Sequence, residues 1–305
     1  MVGDISTGNT GTLKFHLLAL LTVAIWGTTF VWTKLLIQSG LSPAIIFTLR
    51  FIIAYLLMLA FELACKSRKN FRWMADNWRD ELVMVALGVT GGSLYFLTEN
   101  ESLCYTTATN TSLIVCSCPL FTAIAIRLAY KAERLTTWQV IGSLIACLGM
   151  SVVVLNGQFV LHLSPIGDSL AFAACLCWAV YSLFIRKVSE RYSSIFITRK
   201  VFFYGIITII PYFIAYPEPM PFEVLLKPDV AVNLLFLGCV ASMACFLLWN
   251  WVMARLGAVK CTNWVYVNPI TTIIFAWAVL NETITFYFLI GSALILVGLY
   301  LSAKK

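Results

Sequence analysis

Ten stretches of about 20 predominantly apolar residues, each bounded by charge, proline or a polar cluster, run through this chain of 305 residues. A helix rises 1.5 Å per residue, so such a stretch spans the ~30 Å hydrocarbon core of a bilayer. The spans lie at about 15 to 36, 42 to 65, 81 to 99, 107 to 129, 137 to 155, 166 to 187, 195 to 216, 230 to 252, 259 to 280 and 284 to 302. With 61% apolar and 11% charged residues, the chain departs far from the soluble average of roughly 45–50% and about 25%. An ordinary soluble globular enzyme is excluded, and lipid is the solvent for most of the surface.

Several boundaries carry helix-start signals. Ser42-Pro43 and Ser164-Pro165 each place a capping hydroxyl before a proline at the first helical position, and Thr136-Thr-Trp-Gln139 fits a capping box. The first apolar run is longer than the roughly 7–15-residue core of a signal peptide and leads directly into a second span, so it is expected to be retained. Residues 1 to 14 read as a disordered cytoplasmic tail. The longest connections, about 66 to 80 and 217 to 229, are too short to fold alone. No P-loop pattern GxxxxGK(S/T) occurs, which argues against chemistry driven directly by ATP.

Lys and Arg number 21 against 14 Asp and Glu, a formal charge of +7, and in a membrane chain that excess reports orientation. With a cytoplasmic N-terminus, 18 cations fall inside: Lys14; the cluster Lys66, Arg68, Lys69, Arg72 and Arg79; Arg127, Lys131 and Arg134; Arg186, Lys187, Arg191, Arg199 and Lys200; Arg255 and Lys260; Lys304 and Lys305. Lys227 stands alone outside, with Lys34 and Arg50 in or beside spans. Both termini are then cytoplasmic, which requires an even number of spans. The expected location is the plasma (bacterial inner) membrane, crossed many times.

The two halves of the chain resemble each other. Leu87-Gly88 and Leu237-Gly238, Asn100 and Asn250, and Pro119 and Pro269 match at an offset of 150. Glu133-Arg-Leu-Thr136 and Glu282-Thr-Ile-Thr285, Gly142 and Gly291, and Gly149 and Gly298 match at 149. Trp26 and Lys34 align with Trp178 and Arg186 at 152. Five spans per copy force the second copy, 166 to 302, into the membrane upside down relative to the first, 15 to 155. The expected fold class is an all-α integral membrane protein of ten transmembrane helices in two inverted five-helix repeats. Many secondary transporters have this architecture, with the substrate near the midplane between the repeats; duplication of a plain scaffold is the alternative.

Trp26, Thr29 or Phe30, and Thr33 or Lys34 form one helical stripe, repeated by Trp178, Tyr181 or Ser182, and Ile185 or Arg186. Such residues either line a passage or pack helices together. Pro119 and Pro269 stand in mid-span, where each frees the carbonyl four residues before it, Val115 or Val265. In lipid a freed carbonyl needs a partner from protein, water or a cavity. Their flanks are polar: Thr107, Asn110, Thr111 and Cys118 before the first proline, and Cys261, Asn263, Trp264 and Asn268 before the second. This marks either a site or a structural kink glued by polar contacts. Tyr95, one turn beyond Gly91 and Gly92, and Trp249 are further lining candidates.

Ionisable residues in spans are functional candidates because of their insertion cost, ~2.5–3.5 kcal/mol each: Lys34, Arg50, Glu62, Glu99 and Asp168. All but Arg50 lie near helix ends. Glu99 and Glu101 fit an exposed loop edge near the outer face, or a gate or proton acceptor. The ten cysteines read as small buried apolar residues, because Cys116-x-Cys118 and Cys175-x-Cys177 point to different helix faces. No HExxH, GxSxG or carboxylate pair within one span occurs, so an intramembrane hydrolase lacks its usual parts, and no metal or cofactor is expected.

Trp26-Gly-Thr-Thr-Phe30 leading to Lys34, the run Leu103 to Leu113 before Pro119, the two Glu-containing turns and the five-plus-five repeat resemble the drug/metabolite transporter superfamily, EamA type. The resemblance covers essentially the whole chain. It implies a ten-helix secondary transporter, often an exporter of amino acids or other small metabolites, with a central cavity between inverted halves. The second copy departs from the pattern, with Ala179 after Trp178 and with Trp264 and Tyr266 before Pro269. The expected function is alternating-access transport of a small, partly apolar metabolite; a membrane enzyme or lipid-interacting scaffold is the rival. Expected partners are a small-molecule substrate, membrane lipids and a coupling proton or ion, with no nucleic acid and with monomer and homodimer both open. The lining set is Trp26, Thr29, Phe30, Tyr95, Thr111, Trp178, Tyr181, Trp264 and Asn268, with Pro119 and Pro269 as kinks and Lys34, Arg50 and Glu99 as charge or gating residues.

Overall fold

A computed structural model describes residues 9–65, 72–106, 108–130, 136–155, 164–280 and 286–303. Among these residues there is no strand. The chain runs α1 (Asn9–Gln38), α2 (Pro43–Cys65), α3 (Trp78–Gly88), a π-helical segment (Val89–Ser93), α4 (Leu94–Tyr105), α5 (Ala108–Val115), α6 (Cys118–Ala129) and α7 (Thr137–Leu155). The second half runs α8 (Pro165–Ser189), α9 (Ser194–Ala215), the single turn α10 (Phe222–Leu225), α11 (Pro228–Leu235), a second π segment (Phe236–Ala244) and α12 (Cys245–Leu256). It ends with α13 (Ala258–Thr262), a 3-10 turn (Asn263–Val267), α14 (Asn268–Leu280) and α15 (Phe286–Ala303).

Among the described residues, six helices are long and apolar enough to cross a membrane: Leu13–Gln38, Pro43–Ala64, Trp78–Tyr105, Pro165–Ser189, Ser194–Ala215 and Pro228–Leu256. Cys118–Ala129, Thr137–Val152 and Phe286–Ser302 are shorter apolar helices. Helix α1 begins at Asn9, inside the tail expected at 1 to 14; residues 1 to 8 lie outside the described residues. So do Thr107, most of the Glu133–Thr136 turn, the Glu282–Thr285 turn, and Lys66, Arg68, Lys69, Lys131, Arg134, Lys304 and Lys305.

The start signals act as the sequence pattern predicts. The Thr136 backbone N–H donates to Gln139 Oε1 at 3.0 Å and the Gln139 N–H returns to Thr136 Oγ1 at 3.2 Å. Ser42 and Ser164 hydroxyls accept from the N–H groups of Ile45 and Gly167. Each satisfies donors that the first helical turn leaves open.

Helices α7 and α15 touch backbone to backbone. A Cβ on Gly142 would lie 2.5 Å from the Gly298 carbonyl, and one on Gly149 would lie 2.7 Å from the Gly291 carbonyl. The two helices therefore run antiparallel, and the glycines that correspond at the 149-residue offset meet crosswise. Small residues at such a crossing permit close approach, which in lipid replaces hydrophobic driving force.

The rest packs in two groups that each mix both halves of the sequence. Helices α3 to α6 pack on α8 and α9, α1 packs on α12 and α14, and α2 packs on the second π segment while also bridging to α9 and α4 of the first group. Gly27 lets α1 approach α14 closely: a Cβ there would overlap Thr271 Oγ1, and the Gly27 carbonyl accepts from Thr272 Oγ1 at 2.6 Å.

Candidate functional site

Where the two groups meet, the walls leave a cavity of about 40 Å³, room for a few waters. Trp26, Thr29 and Phe30 reach it from α1, Arg50 from α2, and Tyr95, Phe96 and Glu99 from α4. Val115, Cys118, Trp178, Phe246, Val265 and Asn268 complete the lining. Its aromatic part draws on both halves of the chain. Trp26 and Trp178 meet edge to face with centroids 5.4 Å apart, and Phe96 and Phe246, 150 residues apart in sequence, lie at 6.2 Å. Trp178 also contacts Tyr95 and Phe246.

The two indoles differ in their polar partners. Trp26 Nε1 donates to the Ala241 carbonyl at 2.8 Å, inside the second π segment. Trp178 Nε1 is buried with no hydrogen-bond partner, and so is Asn268 Oδ1. Both side chains line the cavity, so a donor and an acceptor stand there with their bonding capacity unused, a costly state when buried.

Charge enters from α2 and α4, which pack on each other. Arg50 is 2% exposed; its Nε donates to Ser242 Oγ at 2.9 Å and its guanidinium lies 4.4 Å from the Phe96 ring. Glu99, 7% exposed, accepts from the Tyr95 hydroxyl at 3.1 Å. Arg50 and Glu99 line the same cavity without touching each other as an ion pair. The exposed loop edge expected around Glu99 is therefore not its setting, because the α4 register that exposes Leu94 turns Glu99 inward.

Irregular backbone surrounds the site. Gly92, in the first π segment, has non-helical torsions of φ −128° and ψ −108°, and π segments recur at functional sites. Pro119 and Pro269 do not kink continuous helices: each is the second residue of a new one, α6 after the Cys116-Ser117 turn and α14 after the 3-10 turn. The expectation of a freed Val265 carbonyl is thereby corrected. The tighter winding of the 3-10 turn brings the Asn268 N–H onto it.

Of the expected lining residues, the structure brings Trp26, Thr29, Phe30, Tyr95, Trp178 and Asn268 to the cavity, together with Arg50 and Glu99. The other candidates stand elsewhere. Thr111 is buried and its hydroxyl lies 3.0 Å from that of Ser102. Tyr181 sits behind Trp178 and donates to Asn250 Oδ1 at 2.5 Å; Asn250 Nδ2 donates in turn to Thr198. Trp264 donates to His16 Nδ1 at 3.1 Å, and Lys34 Nζ to the Leu103 carbonyl at 2.5 Å. Pro119 and Pro269 are buried beside the cavity without lining it. Sequence reading passed over Phe96 and Phe246, although the offset that pairs Asn100 with Asn250 also pairs them.

Near the ends of α2, α3 and α9, ion pairs cross between the halves, two of them buried and the third, Arg191 with Asp80, exposed on its arginine side. Arg199 Nε lies 2.8 Å from Glu62, Lys200 Nζ lies 2.5 Å from Glu81, which also accepts from Tyr204, and Arg191 lies 2.7 Å from Asp80. Arg199 and Lys200, counted in the sequence among loop cations, are 2% and 3% exposed. Buried charge is costly unless it is paired or hydrogen-bonded, and here Glu62 and Glu81 supply the pairing.

The model of the EamA-like transporter family matches this chain twice, over residues 13–155 and 165–304. The chain is 27% identical to an "Uncharacterized transporter" of Archaeoglobus fulgidus over 96% of its own length and 98% of the relative's. It is 24% identical to a "Probable amino-acid metabolite efflux pump" of Escherichia coli, covering 95% and 94%. A solved crystal structure superposes with a TM-score of 0.74 at 19% identity, over 95% of this chain and 97% of that one.

Proposed function

We propose, from the premise that this chain belongs to the EamA-like transporter family, that it is a secondary exporter of small amphipathic metabolites of the amino-acid type. It is a multi-pass membrane protein, and its relatives are named as transporters. In this reading ten spans form two inverted five-helix copies, 15 to 155 and 166 to 302, with both termini on the cytoplasmic side of a bacterial inner membrane. The twofold family match and the crosswise glycine contact of α7 and α15 support the inversion. The bodies that rock are the two mixed helix groups, with α2 and α9, which pack on each other across them, as the joint.

The observation that carries the reading is the cavity between those groups. An aromatic wall built from equivalent residues of both copies suits an apolar body. Arg50 and Glu99, which line the cavity without an ion pair between them, suit the carboxylate and the ammonium of a solute, and Trp178 Nε1 and Asn268 Oδ1 offer a free donor and acceptor. The void is too small for such a solute, so loading requires the groups to part. Names of relatives with amino-acid cargo, the E. coli pump and a "Probable terminal-alkyne amino-acid exporter" of Streptantibioticus cattleyicolor, agree with it.

Flux of a panel of radiolabelled amino acids and other metabolites into proteoliposomes tests the assignment. Wild type is expected to move at least one solute saturably. Trp178→Ala and Asn268→Ala are each expected to lower its kcat/KM by about tenfold or more, the scale of one lost hydrogen bond or ring contact near 1.4 kcal/mol. If Trp26→Ala, Trp178→Ala and Asn268→Ala all transport like wild type, the cavity is not the site.

A further inference from the structure

A second recess lies further along the two helices that bear Trp178 and Phe246. Ile185 follows Trp178 by seven residues on α8 and Met253 follows Phe246 by seven on α12, so each helix runs two turns, roughly 10 Å, beyond the central cavity. There Ile185 and Met253, with Ile126 of α6, form the buried floor of a cleft of about 580 Å³. The hydrogen-bonded layer Tyr181, Asn250 and Thr198 stands at the intermediate register.

The wall of this cleft is charged. Arg255 and Lys260 flank Gly257, whose φ of +83° turns the chain sharply between α12 and α13. Arg186 joins from α8 with its guanidinium 4.4 Å from the Tyr130 ring, and Glu190 is the acid among the described lining residues. Three cations thus face one carboxylate in a recess whose volume falls in the ~300–1,000 Å³ range of small-molecule sites. A concave, low-dielectric wall of one sign concentrates counter-ions. Retention of positive loops on one side explains the sign of these residues, but not why three segments bring them to one recess two helical turns beyond the central cavity.

We propose that this cleft is an anion-selecting vestibule, in which Arg255 and Lys260, with Arg186 adding to the field, take the carboxylate or phosphate group of a solute before it enters the central cavity. Its place on a transport path rests on the function proposed above; its electrostatics do not.

Ala254 lines the cleft and is exposed, so Ala254→Cys in the full-length protein in non-ionic detergent reports the local potential. Its reaction rates with an anionic and a cationic methanethiosulfonate are compared after subtracting the rate of protein lacking the new cysteine. Normalised to a small thiol in solution, the anion-to-cation ratio is expected to be about tenfold. It should fall at least threefold in R255Q/K260Q and approach unity at 1 M salt, where the Debye length is ~3 Å. Benzoate and phenyl phosphate test the two anion chemistries and should slow modification where benzylamine does not. Added phosphatidylglycerol that slows it as effectively would assign the cleft to lipid headgroups and overturn a solute vestibule. A ratio near unity that R255Q/K260Q leaves unchanged, or no protection by either anion, also overturns it. None of these readings needs flux, so a protein with the expected ratio and no transport of any solute would sink the transporter reading and leave the anion site standing.

Discussion

Arg50→Gln is expected to abolish measurable transport, lowering flux about 100-fold while the protein still folds in a suitable second background. Three contacts explain the size of the effect. Arg50 holds Ser242 of the second π segment through its Nε, lies against Phe96 of α4, and supplies the cation of a cavity that the Glu99 carboxylate also lines. A hydrogen bond to a charged group contributes roughly 1.5–3 kcal/mol, and 2.7 kcal/mol is a factor of about 100. Removing the guanidinium alone also leaves Glu99 as an uncompensated buried charge, at a cost of about 3–5 kcal/mol when a close partner is lost and less at this separation. The single variant is therefore expected to melt earlier than wild type. Arg50→Gln/Glu99→Gln removes both charges and should regain thermal stability without regaining flux, so the two effects separate in one double-mutant cycle. Arg50→Lys keeps the charge but loses the planar group that faces Phe96, and is expected to recover only a minor share of flux. Wild-type transport by Arg50→Gln would remove Arg50 from the mechanism.

Gly298→Leu is expected to prevent α15 from seating on α7, and so to cost about 3 kcal/mol or more through overpacking. A Cβ on Gly298 would already lie 2.5 Å from both the Ala146 nitrogen and the Gly142 carbonyl, backbone atoms that no side-chain rotation can move. Gly142→Leu meets the other end of the same contact, 2.5 Å from the Gly298 carbonyl and the Ser302 nitrogen, and should behave alike. Leu296, two residues away on the same helix, is 58% exposed, so Leu296→Ala serves as the control and should stay monodisperse with wild-type melting. Size-exclusion profile and thermal melting in detergent read all three. Unchanged melting of both glycine variants would mean that α7 and α15 do not form this contact.

How far the sequence reaches can be judged from these same residues. Gly142, Gly149, Gly291 and Gly298 were visible as matching positions, because an offset is a property of the string; that they meet crosswise is a property of the packing and was not. The Thr136-Gln139 capping box is local and could be read directly. Trp26 and Trp178 stood out as a repeated aromatic stripe, and both reach the cavity. Phe96 and Phe246 did not stand out, because phenylalanine is common in apolar helices and only the cavity distinguishes these two from the rest. Glu99 was misplaced for a related reason. Its distance from the span's end was legible, but the face it occupies depends on helix rotation about its axis. The prolines were read as kinks in continuous helices, whereas two short helices meet there, since a proline near a helix start is favourable and one in its interior is not. Likewise Arg199 and Lys200 looked like loop cations until Glu62 and Glu81, more than 100 residues earlier, were brought against them.

The central claim is that one cavity is reached alternately from the two sides of the membrane. Cys118 lines that cavity and is 1% exposed, so it can report on it in a variant whose other cysteines are replaced by serine or alanine and whose flux is retained. The measurement is its modification in sealed proteoliposomes by a membrane-impermeant thiol reagent applied from one side and then the other. Labelling from both sides, with a saturating transported solute raising the rate from one side while lowering it from the other, is the predicted result. Labelling from a single side under every condition, or rates from both sides that the solute moves in the same direction, would contradict alternating access through this cavity.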